Sequence, residues 1–557
     1  MNGYSFPTDP ESWAGLRERF EWDVPEEYNI AGAILEGDQN EAESGGRADR
    51  TALVHTDAGS DRHALTYGDL DRASAAVAAW LADRGIGRGD AVALCLPQCP
   101  ELLVAYLAVF RLGAVAVPRS MLLGGEALVE TVERSGADLL VIDAWKADAV
   151  EGTHSAETVV IDPGRDGYAR PRGRLPGDEE ALGERDEVGP VGTRPDERAL
   201  VLFTSGTTGR PSGVVQGHQY LLGSLPGYQC YFELFDPADA REARVWSPSE
   251  WTWAGALFDV LLPTLALGGT VVSRARYSGF DPERALALVE RERVTHAFLP
   301  PTALSKLRAG ADPAEYDLDS LVAIQSGGEK LAPALLEWGQ RALACTINEA
   351  YGQTEANALV GNCQALFDPK EGSMGRAYPG HEVVVLDGDT ATACERGELG
   401  EIAVQRPDPV VFEGYLDDPE GTAERFRGDY FLTGDAATRD EEGYFYHRGR
   451  TDDLLLRSGY RISPLEIETA LTDHPAVREA VVGGVTSGER QRVKAYVVLA
   501  DEAEEGAGER ADLLERLEEH VRERAGAHKV PDDIEIIGEL PTTTSDKTDR
   551  AALFDGE

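Results

Sequence analysis

The chain reads as an α/β protein. We expect a large N-terminal domain of stacked mixed and parallel sheets with helices plus a β-rich subdomain, and a small α+β C-terminal domain. Three observations lead there. Short apolar runs alternate with helical periodicity at βαβ spacing through most of the sequence. Past Tyr378 the texture changes to short β-like pieces bounded by turns. Beyond Arg450 helices and strands recur in a stretch of about a hundred residues, enough for a domain of its own. A chain of 557 residues is also too long for a single core. The expected domains are 1–451 and 452–557.

Taken in order, the first sixty residues are mostly irregular. LTYGDLDRASAAVAAWLADRG then gives the first clear helix, with Leu70, Ala73, Val77 and Trp80 on one face and Gly85 as its stop. Strand AVALCL, helix PELLVAYLAVFRLG and strand AVAVP follow, a pattern of largely parallel sheets covered by helices. The turn RGIGRG at 84–89 lies between helix and strand, the wrong order for dinucleotide binding, and is read as structural. Residues 163–198 are rich in Gly, Asp, Glu, Arg and Pro and read as an exposed excursion. Strand GTVV at 269–272 and helices near 282–292, 302–309 and 330–343 continue the alternation, with AFLP and LVAIQS as strands between them. EVVVL, GEIAV and GYFYH are the short β pieces. The last unit reads as helix PLEIETALTDH, strands AVVGGV and KAYVVL, helix ADLLERLEEHVRERAG and strand IEII, with the acidic DEAEEGAGE at 501–509 as a solvated loop.

Composition excludes several classes. At 42% hydrophobic residues the chain is globular, and no run of eighteen apolar residues predicts a membrane span. The polar, acidic start MNGYSFPTDPESW predicts no signal peptide, so a cytoplasmic protein is expected. With 99 acidic against 53 basic residues, the formal charge of −46 opposes nucleic acid and anionic membranes as partners. Only seven of the basic residues are lysines. Excess carboxylate with scarce lysine is similar to proteins of salt-accumulating organisms, in which ions screen self-repulsion. Six cysteines form no C-x-x-C pair and no metal spacing with the ten histidines; reduced thiols are expected, with Cys95 and Cys99 as small buried residues.

Chemistry concentrates in LFTSGTTGRPSG, Leu202 to Gly213. An apolar strand end, Val201 to Phe203, opens into hydroxyls and glycines able to turn tightly and offer N–H and O–H groups to phosphate oxygens. It does not match the G-x-x-x-x-G-K-[ST] loop of Walker-type NTPases. T-S-G-T-T-G-x-P followed by EAYGQTE, YFLTGD, GRTDDLLLRSGYRI and a late P-x-x-x-x-x-K resembles the adenylate-forming superfamily of acyl-CoA synthetases, adenylation domains and firefly luciferase, in the family's order and over nearly the whole chain. WDVPEEYNIAGAIL and SGYR narrow the resemblance to medium-chain acyl-CoA synthetases.

The resemblance implies ATP, Mg²⁺ and CoA as reactants and a small domain that rotates between two half-reactions. Thr204, Ser205, Gly206, Thr207, Thr208 and Gly209 would wrap the β- and γ-phosphates. Gly328 and Glu329, with Glu349, Ala350, Tyr351, Gly352, Gln353 and Thr354, would form the nucleotide pocket, Tyr351 stacking on adenine and Thr354 touching the carboxylate or α-phosphate. Glu355 would be the Mg²⁺ ligand, since that ion accepts one carboxylate alongside waters and phosphate oxygens. Asp435 and Arg450 would hold the ribose, Asp452 would be the hinge, and Lys547 would bridge carboxylate and α-phosphate as charge develops. Ser458, Gly459, Tyr460 and Arg461, with Lys529, would meet CoA. Two positions depart from the pattern: Ser212 stands where a lysine follows the loop proline, and Asp546 replaces the glycine before Lys547.

Trp251, Trp253, Gly255, Gly327 and Gly352 are the expected lining of the acyl pocket. Acetate-activating relatives carry tryptophan where this chain has Gly352, and removing an indole opens space for a few methylenes at ~0.8 kcal/mol each. Medium-chain or branched acids are therefore expected. The rivals are another adenylate former and, because of Ser212, a non-catalytic nucleotide-binding paralogue; retention of Glu355, Asp435 and Lys547 opposes the latter.

Overall fold

The computed structural model describes residues 4–7, 10–36, 46–57, 61–150, 152–161, 188–204, 211–236, 242–275, 279–388, 390, 392–453, 455–457, 460–487, 490–500, 507–526, 529–541, 548 and 550–554. The excursion expected at 163–198 is thus described only from 188, and most of the acidic loop at 501–509 also lies outside these residues.

Among the described residues, two large sheets carry the N-terminal part. One runs in the order Gly414–Tyr415, Ser212–Gly217, Arg198–Thr204, Val115–Pro118, Ala91–Cys95, Leu139–Asp143, Glu157–Ile161. Strands Val115–Pro118, Ala91–Cys95 and Leu139–Asp143 within it are mutually parallel and buried throughout, which is why AVALC and LLVID read as unbroken apolar runs. The other runs Arg376–Ala377, Ala356–Gly361, Thr346–Gln353, Ala323–Gly327, His296–Phe298, Arg244–Trp246, Thr270–Arg274, Thr51–Thr56, Arg62–Thr66. Helices Pro100–Arg111 and Gln219–Tyr231 are buried on nearly every side, Leu102 to Arg111 and Tyr220 to Tyr231 without a break. A helix apolar all round belongs between layers.

The helix at Tyr67–Ala82 starts on a capping box, Thr66 and Asp69 bonding each other's backbone N–H. Its buried face is Leu70, Ser74, Val77, Ala78 and Leu81, rotated from the expected one. Ser74 is inside because its hydroxyl meets Arg111 Nε at 3.0 Å, while Trp80 sits at the edge under the Arg84 guanidinium, 3.7 Å from the ring centroid. All six cysteines are free, and burial pushes the Cys95 thiol up to about 12.

The chain divides into two compact units, Met1–Val383 with Val404–Thr433, and Val384–Ala403 with Gly434–Glu557. The second therefore takes in strand Phe445–Arg450 as well as the residues after 451: Arg448 on that strand lies 3.7 Å from Glu466 on helix Pro464–Thr472. Strands Val477–Ser487, Arg490–Leu499 and Asp533–Ile536 form its three-stranded sheet, and helices Pro464–Thr472 and Ala507–Ala525 close a core of Ile467, Leu471, Val482, Val493, Leu517 and Val521.

Candidate active site

In the first unit the phosphate-loop candidate is bounded by two paired strands. Arg198–Thr204 runs antiparallel to Ser212–Gly217, setting Thr204 opposite Ser212 and Phe203 opposite Gly213. A side chain at Gly213 would press on Leu416 at 3.0 Å and Val201 at 3.1 Å. Ser205, Gly206, Thr207, Thr208 and Gly209 lie outside the described residues. Two arginines that sequence reading missed approach this hairpin: Arg119 and Arg134 stand over the Phe203 ring at 4.7 and 5.7 Å. Arg134 also donates to the Pro211 carbonyl.

Two parallel strands build the next wall. Ala323–Gly327 pairs with Thr346–Gln353 so that Ser326 faces Glu349 and Gly327 faces Ala350. Only glycine fits at 327, because a Cβ there would stand 2.4 Å from the Ala350 carbonyl oxygen. Gly328 follows with φ +84°, turning the chain toward Glu329. Glu349 keeps part of its surface exposed, yet burial of its carboxyl pushes it up to about 7 against the pull of the Leu331 amide and Lys330.

Tyr351, Gly352, Gln353 and Thr354 are partly buried at the end of this strand. Gly352 lies at a register shift between Tyr351 and Gln353, a bulge. A Cβ on it would fall 2.4 Å from the Ala358 nitrogen and 3.0 Å from the Asn357 Cα. The direction an indole would take is therefore filled by backbone, so Gly352 opens no space along it, contrary to the reasoning from side-chain size. The Thr354 carbonyl accepts from Gln216 Nε2 at 2.6 Å and Tyr220 OH at 3.0 Å, and Gln353 Nε2 donates to the Thr433 carbonyl at 3.0 Å. These contacts fix where Thr354 and Glu355 emerge.

Glu355 is 8% exposed, and its Oε1 accepts from Tyr415 OH at 2.8 Å. Arg425 Nε donates to the same phenol at 3.1 Å. Burial and the Glu355 charge push the Tyr415 hydroxyl up to about 12, so it stays a donor. Among the described residues no group of three or more His, Cys, Asp or Glu could hold a metal. A single oriented carboxylate is a donor set that suits Mg²⁺ arriving with phosphate oxygens, not a preformed cage.

Trp251 is fully buried and its carbonyl accepts from Tyr106 OH at 2.9 Å, whereas Trp253 is 44% exposed. Gly255 backs onto the Phe298 ring, which a Cβ would meet at 3.1 Å.

In the second unit, Asp435 and Arg450 are paired residues on adjacent antiparallel strands, Nη1 to Oδ1 3.2 Å. His447, missed in the sequence, brings Nε2 to 3.4 Å from the same oxygen. Thr451 is tied to Gly434 by its amide at 2.8 Å and its hydroxyl at 3.1 Å, and the exposed Asp452 follows at once. Tyr460 and Arg461 pair with Arg457 and Leu456 through the backbone. Lys529 Nζ is already engaged, 2.6 Å from Glu466 Oε2. Ser458, Gly459, Asp546 and Lys547 lie outside the described residues.

Comparison with known proteins bears directly on this arrangement. Residues 40–416 match the family described as AMP-binding enzyme, and residues 466–547 match the AMP-binding enzyme C-terminal domain. The chain belongs to the AMP-binding enzyme family. The resemblance to adenylate-forming acyl-CoA synthetases, drawn from motifs, therefore holds at the level of whole domains. An uncharacterized acyl–CoA ligase of Bacillus subtilis is 32% identical over 95% of this AMP-binding chain and 96% of its own. A 4-hydroxybutyrate–CoA ligase of Metallosphaera sedula is 33% identical over 91% and 87%. The crystal structure of ATP-bound MatB from Rhodopseudomonas palustris superposes with a TM-score of 0.80 at 26% identity, covering 95% of this chain and 98% of that one. The expected fold class is the observed one. No described helix is long and apolar enough to cross a membrane.

Proposed function

We propose that this enzyme is an AMP-forming acyl-CoA synthetase: a carboxylate attacks the α-phosphate of ATP, giving acyl-adenylate and pyrophosphate, and the CoA thiol then displaces AMP to form the thioester. The observation that carries the reading is the joint placement of Tyr351, Thr354 and Glu355 at one strand end, with Glu355 buried and aimed by Tyr415. Two anions must meet in the first step, so charge neutralisation governs its rate.

Tyr351 stacks on adenine, Thr354 steadies the carboxylate or α-phosphate, and Asp435 with Arg450 holds the ribose. Glu355 would hold Mg²⁺, which when bound supplies positive charge to the phosphates. Lys547 supplies an ammonium at the reacting carboxylate. Thr204 to Gly209 take the β- and γ-phosphates, with no lysine at Ser212 to assist. The C-terminal domain then swings about Asp452 and presents Ser458 to Arg461 and Lys529 to CoA. The acid is a medium-chain or branched one, a reading supported by the similarity to medium-chain acyl-CoA synthetases and not by space at Gly352, and the setting a salt-rich cytoplasm.

The test is carboxylate-dependent pyrophosphate exchange over a panel of acids at high salt, followed by detection of the thioester. Lys547→Ala is expected to lose exchange by about 10²-fold or more. Full exchange in that variant would overturn the assignment. Exchange without thioester would point to another adenylate former.

A further inference from the structure

The first unit holds a carboxyl group that these steps leave unused. Asp259 lies in a π-helical turn, Leu257–Leu261, of the kind that recurs at functional sites. It is 6% exposed. Its Oδ1 accepts from Asn357 Nδ2 at 2.6 Å and faces Tyr231 OH at 3.4 Å. Among the described residues Oδ2 accepts no hydrogen bond, and it points toward Gly255, where a Cβ would stand 3.6 Å away.

A second unpartnered acceptor lies in the same wall. Gly255 rests on Phe298, and Phe298 is the register partner of Gln325 on the neighbouring parallel strand. The Gln325 Oε1 is buried with no hydrogen-bond partner, and its Nε2 stands 2.9 Å from where a Gly327 Cβ would be. Asn357, which holds Asp259, is the residue whose Cα backs Gly352 at 3.0 Å from the missing Cβ. The three glycines expected to line the acyl pocket are thus bordered by the Asp259–Asn357 pair and by Gln325.

Buried acceptors without donors are rare because each forfeits its bonds to water. An alkyl tail would leave the buried Gln325 Oε1 unsatisfied and would strip water from Asp259 Oδ2 without replacing it. We propose that Asp259, with Gln325, receives a hydroxyl group carried on the tail of the acyl substrate, so that the preferred acid is a hydroxy-substituted one of medium length. This rests on the acyl-CoA synthetase reading and names the substrate class within it. Burial pushes the Asp259 carboxyl up to about 7, and no second acidic group is bonded to it; a neutral donor suits such a group better than an ammonium, which would hold it ionised.

The experiment is pyrophosphate exchange by the full-length enzyme with isosteric pairs, 4-hydroxybutanoate against pentanoate and 5-hydroxypentanoate against hexanoate, with 5-aminopentanoate alongside. The hydroxy acid of at least one pair is expected to exceed its alkyl partner in kcat/KM by at least about tenfold. Asp259→Leu should reverse that ratio, and Asp259→Asn, which keeps an acceptor oxygen, should restore part of it. Equal or better use of the alkyl acids, or a preference for the amino acid, overturns the inference while leaving the synthetase reading intact. Silence with every acid overturns the synthetase reading itself. The wild-type ratios decide even if the leucine variant fails to fold.

Discussion

Glu349 shows how a single side chain couples the site to pH. Its carboxyl is raised from an ordinary value near 4.5 to about 7, chiefly by burial. Between those values the folded protein keeps a proton that the unfolded chain has released, so this group's contribution to stability declines as pH rises through that window. Glu349→Gln removes the titration. The variant is expected to gain stability relative to the parent between pH 5 and pH 8, read from urea midpoints; a difference that does not change with pH would refute the argument. Glu349, Thr354 and Glu355 were legible because they sit inside a contiguous motif. Their partners were not. Tyr415 is 60 positions from Glu355, and Gln216 is 138 from Thr354. No local pattern encodes such pairs, since only the register of distant strands creates them. His447 lies three residues before Arg450 in GYFYHRGR, where regular alternation puts it on the opposite face; the register shift between Asp435 and Ala437, which no local pattern announces, interrupts that alternation.

Among the elements, helix Pro464–Thr472 depends on its first turn. Ser463 caps it, Oγ accepting from the Glu466 amide at 3.3 Å, and Pro464 occupies the position where no N–H is needed. The same Glu466 holds Lys529, so the cap also steadies a proposed CoA contact. Ser463→Ala is expected to destabilise the C-terminal unit by about 1 kcal/mol in urea unfolding. No measurable loss there would mean that tertiary packing alone sets the turn. Element type was readable where periodicity was strong: the helices expected near 282–292 and 302–309 are Pro282–Glu292 and Pro301–Gly310. The orientation of Tyr67–Ala82 was less so, because Ser74 is buried for a hydrogen bond to Arg111 that hydropathy does not register. The Gly352 bulge escaped for a similar reason: side-chain volume suggested a vacancy, whereas backbone geometry fills it.

At the scale of the molecule, charge dominates. A formal −46 spread over one chain makes self-repulsion a term that dissolved ions reduce. The melting temperature is expected to rise from dilute buffer to multimolar KCl. A flat curve would refute the assignment to a salt-rich setting. The chain forms two compact units whose membership alternates along the sequence between Val383 and Gly434. The short strands after Tyr378 read only as a β-rich piece of the large domain, and nothing in their composition shows which body each packs with. Pairings such as Asp435 with Arg450 decide that, and they are properties of the folded state.

The tight contact between Gly352 and Ala358 constrains the evolutionary routes open to this enzyme. A lineage placing tryptophan at that position meets a backbone collision on its first step. The neighbouring strand must be displaced beforehand, by changes that confer no benefit alone. Such order-dependence makes position 352 a poor first place for selection, or for an engineer, to begin.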